Sequence, residues 1–106
     1  MSQEKVRMTP DARVLHLLGV ALHMAETEGY RNLTGPRVAS AAGIKGHGLI
    51  NYYFGSVERM KATVLTTAIE RGNLEILLQG LVTKDPIALN APVSLRQAAY
   101  EKLRAE

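Results

Sequence analysis

Asn51, Tyr52 and Tyr53 stand together in mid-chain, with Lys45, His47 and Leu49 just before them and Arg59 and Lys61 just after. These residue types suit one kind of chemistry. His47 and Asn51 hold donors and acceptors that match base edges, and Leu49 offers an apolar contact for a thymine methyl group. Lys45, Tyr52 and Tyr53 reach phosphates or sugars, while Arg37 and Arg59 are candidate clamps on a phosphate backbone. From Arg31 to Lys61 the chain carries five basic side chains against Glu58 alone; the remainder carries eight basic and nine acidic ones. The net charge of +3 therefore sits in this one segment, as a phosphate-facing surface requires.

Other chemistries find little support. The chain has no Cys, which excludes disulfides, thiolate zinc sites and a thiol nucleophile. His16 and His23 share one helix face with no HExxH pattern or carboxylate cluster beside them, and read as surface or interface residues rather than metal ligands. The glycine-rich run from Gly43 to Gly48 lacks both the preceding strand and the Gly-Lys-Ser/Thr ending of a nucleotide loop. Glu26, Glu28, Glu70 and Glu75 read as solvated charges. No enzyme activity, metal or cofactor is expected.

The elements that must position these residues are all helical, and the expected fold class is all-α. Thr9, Pro10 and Asp11 open a first helix as N-cap, first-turn proline and dipole-matched acid. It runs to about Glu28 and stops at Gly29, with Leu17, Leu18, Ala21, Leu22 and Ala25 on one face. Thr34 caps a second helix over about 35–42, and Gly43 marks the reversal that follows. A short third helix spans about 48–53, anchored by Ile44, Ile50 and Phe54 against Val38, Ala39 and Leu22. Ser56 caps a fourth, striped by Met60, Val64, Leu65, Ala68 and Ile69; it either continues through Leu77 or bends at Gly72-Asn73. Asp85-Pro86 starts a short turn of helix, and Pro92 to Ala105 a last one. A short helix, a glycine turn and a second short helix held by a longer partner form the grammar of a helix-turn-helix.

Leu33-Thr34, Val38-Ala39, Ala41-Ala42-Gly43-Ile44 and Leu49 through Ser56 closely resemble the N-terminal DNA-binding domain of TetR-type (tetracycline-repressor family) regulators. The resemblance covers Leu17 to Leu65, about half of the chain. It implies DNA contacts at Thr34, Gly35, Arg37, His47, Gly48, Leu49, Asn51 and Tyr53, and a dimer on a palindromic operator that represses a gene. Ser56, Arg59 and Lys61 join the interface as the fourth helix's capped start and its cations. Three departures stand beside the match. The Lys45-Gly46-His47-Gly48 run is one residue longer than the family spacing, leaving the register of 45–49 open by one position. Val57 replaces the family's lysine, for which Arg59 or Lys61 is the substitute. The chain after the fourth helix's start is short for the family's ligand-binding domain, so a small-molecule inducer is not expected.

The expected organisation is a flexible arm at 1–8, a helix-turn-helix domain at 9–65 and a helical, dimerising tail at 66–106. Leu74, Ile76, Leu77, Leu78 and Leu81 are the expected dimer surface, which would set two reader helices about 34 Å apart. No apolar run reaches the ~20 residues of a membrane span and no signal peptide is visible, so a cytoplasmic protein is expected. The leading functional reading is a small dimeric DNA-binding repressor. The alternative is a protein-interaction module or anti-repressor with a degenerate reader motif.

Overall fold

A computed structural model describes residues 10–44 and 48–105. Among these residues every regular element is helical: α1 (Pro10–Glu28), a 3-10 turn (Tyr30–Asn32), α2 (Gly35–Ala41), α3 (Gly48–Phe54), α4 (Val57–Glu70), α5 (Leu74–Val82), α6 (Pro86–Leu89) and α7 (Val93–Ala105). The all-α class and the order of elements agree with the sequence. Thr9, the expected cap of α1, lies outside the described residues, as does the 1–8 arm.

Side-chain caps set most of the boundaries. Thr34, Ser56, Asn73 and Asp85 each accept a backbone N–H from the first turn of the helix they precede. Of the four glycines with positive φ among the described residues, two close helix ends in one hydrogen-bonded pattern. After α2, Gly43 (φ 76°) donates to the Ser40 carbonyl and Ile44 to the Ala39 carbonyl. After α4, Gly72 (φ 68°) donates to Ile69 and Asn73 to Ala68. Both are the Schellman closure, in which glycine escapes the Cβ clash. The second separates α4 from α5, so the fourth helix ends at Gly72-Asn73 instead of continuing.

The apolar stripes converge on one core. Leu17, Ala21, Val38, Ile50, Met60, Val64 and Leu65 lie in the same buried cluster as Ile76, Leu77, Leu81, Ala88, Ala91 and Ala99. α1 packs against α2, α3 and α4, while α5 packs against α4, α6, α7 and the 3-10 turn. The boundary expected at 65/66 therefore does not divide two cores. The expected dimer surface needs the same correction. Ile76, Leu77 and Leu81 are 0%, 1% and 3% exposed, and Leu74 and Leu78 are half-buried against the core. Their apolar density serves largely the inside of the protomer. No described helix is long and apolar enough to cross a membrane.

Candidate nucleic-acid interface

The candidate interface is built from α2, α3 and the first turn of α4. Leu33 is buried and fixes the entry to α2, where the Thr34 hydroxyl accepts from the Arg37 N–H at 3.2 Å. Gly35, expected as a DNA contact, is itself buried. A Cβ there would meet Val57 Cγ2 at 3.4 Å and Ile50 Cβ at 3.8 Å, so the missing side chain lets the start of α2 lie close against α3 and α4.

α3 presents two faces. Ile50 is fully buried, and Tyr53 and Phe54 pack half-buried on the core. Gly48, Asn51 and Tyr52 face solvent, with Tyr52 at 76% exposure, and Leu49 lies between the two faces. Residues three and four apart share a helix face, so 48, 51 and 52 form one outward stripe. Tyr53 accordingly turns partly inward, its ring meeting that of Tyr52 edge-on with centroids 4.9 Å apart. Lys45 and His47 lie outside the described residues.

The cations are arranged unevenly. Arg59 sits in the first turn of α4, where the Ser56 hydroxyl accepts its N–H at 3.0 Å. Its side chain lies back across Gly55 (φ 95°); a Cβ on that glycine would be 3.0 Å from Arg59 Cδ. The guanidinium thus stays beside the α3–α4 junction. Arg37 is already engaged, its Nη2 donating to Glu28 Oε1 at 2.5 Å, with the two side chains 54% and 47% exposed. At that exposure the pair is worth about 0–1 kcal/mol, so a phosphate can displace Glu28. Lys61, expected on the interface, turns to another part of the molecule: its Nζ is 5.0 Å from the Tyr30 ring centroid.

No family model, no curated protein and no solved structure matches this chain.

One polar cluster was not foreseen from the sequence. Tyr30 is buried, and its hydroxyl lies 3.3 Å from both Asp85 Oδ2 and the Lys61 carbonyl. Burial, and then the Asp85 charge, hold the phenol above its ordinary pKa, so it remains a neutral donor. Gln79 of α5 closes the end of α1: its amide donates to the Ala25 carbonyl at 2.9 Å and accepts the Tyr30 N–H. Asp85 was legible as the cap of α6, and it fills that role too, accepting the Ile87 N–H at 2.9 Å. Nothing in the spacing of residues 30, 79 and 85 announces that they meet.

Proposed function

We propose that the chain is a sequence-specific DNA-binding regulator that acts as a dimeric repressor on a palindromic operator. The observation that carries this reading is the two-faced α3. Ile50 and Phe54 anchor a seven-residue helix from within, while Asn51 and Tyr52 project outward. A helix of that size fits a major groove about 12 Å wide. Asn51 is the base-edge reader, with Leu49 beside it for thymine methyls. Tyr52, Thr34, Arg37, Ser56 and Arg59 hold the backbone, and the N-terminus of α4 adds its positive dipole end. Such a protein works in the cytoplasm.

Pairing of two protomers has to use apolar surface other than the core leucines of α5. Val82, Leu89, Val93, Tyr100 and Leu103 are all exposed in the C-terminal half and supply it. The alternative reading, a protein-interaction module, draws on the same exposed residues and on the diversion of Arg37 and Lys61 from a free basic face.

Selection from a random duplex pool, repeated at two salt concentrations, tests the proposal. A two-fold symmetric sequence enriched at both concentrations is the expected result. Sequence-blind retention that vanishes at the higher salt overturns it, because phosphate contacts alone carry steep salt dependence and no base information.

A further inference from the structure

An open cleft of about 520 Å³ lies where the 3-10 turn, the start of α4 and the α5–α6 corner meet. The residues around it that bear on its chemistry are Tyr30, Arg31, Glu58, Lys61, Lys84 and Asp85. Its size falls within the range of about 300–1,000 Å³ typical of small-molecule sites. We propose that this cleft binds a small hydroxyl-bearing phosphate ester, a ligand class that the sequence reading did not expect.

Three observations carry the proposal. The side chains of Arg31 and Lys84 have no ion-pair or hydrogen-bond partner among the described residues, and Lys61, held against the Tyr30 ring, completes a basic trio. Asp85 already accepts from Tyr30 and from the Ile87 N–H, which leaves the trio in excess over the acids. Glu58 is likewise without a partner among the described residues, and it suits a ligand hydroxyl.

Lys84 provides the third observation. It closes α5 in the same Schellman geometry as Gly43 and Gly72, its N–H donating to Leu81 and that of Asp85 to Gly80. At φ 61° it is the only non-glycine with positive φ among the described residues. A side chain there costs about 1–2 kcal/mol that glycine would avoid. A lysine at such a position, lining a cleft with two other cations, fits a binding role better than a structural one.

The phosphate has two possible sources, a free ester or the DNA backbone. Glu58 and Asp85 in the walls repel a continuous polyanion and tolerate a small ligand with its own donors, so the site is assigned to the free ester. The test is a titration of the full chain with ribose 5-phosphate, inorganic phosphate and duplex DNA, followed by amide NMR shifts. Ribose 5-phosphate should give saturable shifts at Tyr30, Arg31, Lys61 and Thr83–Asp85, with inorganic phosphate weaker at the same residues. Lys84→Gln and Arg31→Gln should each weaken binding about tenfold, equivalent to 1.4 kcal/mol, while Arg71→Gln outside the cleft leaves it unchanged. Lys84→Gly separates binding from folding: the variant should melt higher than wild type and still lose the ligand. Shifts spread over all basic residues, or binding untouched in Lys84→Gly, overturn the proposal. So do shifts at the cleft with duplex DNA but not with ribose 5-phosphate. None of these outcomes depends on whether α3 reads DNA.

Discussion

Asn51 and Tyr30 show how differently two polar side chains serve this protein. Asn51 is exposed on a helix whose opposite side is buried, at a position where asparagine gains nothing for helix stability. Replacing it by alanine should leave melting unchanged and should lower the preference for operator over random duplex by ~1–3 kcal/mol, read from paired binding isotherms. Equal discrimination by the variant would remove Asn51 from base readout. Tyr30, by contrast, is buried with Asp85 as its acceptor. Its raised pKa means that the folded chain holds the phenolic proton more tightly than the unfolded chain does. That contribution is complete below the ordinary value of 10.0 and is lost as pH climbs above it, when the unfolded phenol ionises first. Urea denaturation from pH 7 to 11 should show stability falling above pH 10 in the wild type. Tyr30→Phe should be about 1 kcal/mol weaker at pH 7 through the lost hydrogen bond, with a flatter alkaline limb.

At the scale of elements, the close approach of α5 to α4 and α6 turns on Gly80. A Cβ there would lie 2.9 Å from Ala88 Cβ and 3.1 Å from both Leu65 methyls. Leu65 can rotate, but Ala88 Cβ cannot move without shifting α6. Gly80→Ala gains about 1 kcal/mol of helix propensity and meets overpacking of about 1–3 kcal/mol. Net destabilisation of about 1 kcal/mol is expected by urea unfolding, and a stabilised variant would show that α6 yields freely. The caps belong to the same scale. Asn73, which reads only as a bend in the sequence, is the cap of α5. Thr34, Ser56 and Asp85 were recognisable because a side-chain oxygen next to a helix start has one job to do. The second partner of Asp85 was not, since it comes from a residue fifty-five positions away.

For the whole molecule, the shared core means that α1–α4 and the C-terminal helices fold together. Calorimetric and van't Hoff enthalpies should agree across one transition; two resolved transitions would restore a separable tail. The same core decides which variants can probe self-association. Leu77→Glu buries a charge and should abolish cooperative unfolding at any concentration. Val93, 57% exposed, accepts the change within a protomer, so Val93→Glu should keep the wild-type melting point and sediment as a monomer. A Val93→Glu variant that still sediments as a dimer would move the pairing surface elsewhere. The chain is also elongated: its radius of gyration of 15.0 Å exceeds the ~13 Å of a compact domain near this length, leaving α7 a long exposed flank.

The sequence by itself determined the helices, their caps and their inward stripes, because these depend on residues one to four positions apart. Thr34, Gly43, Ser56 and Ile50 were legible in this way, and so was the outward position of Asn51. Only the tertiary structure decided what each surplus was for. The leucines of α5 looked like an interface and are core, since whether an apolar helix face meets its own chain or another depends on packing that no local spacing encodes. Arg37 and Lys61 looked like free phosphate contacts, yet they meet Glu28 and Tyr30, partners supplied by the end of α1 and the turn after it. The cleft that joins Arg31, Lys61 and Lys84 exists because three elements distant in sequence close on one another, and Coulomb interactions follow distance in space.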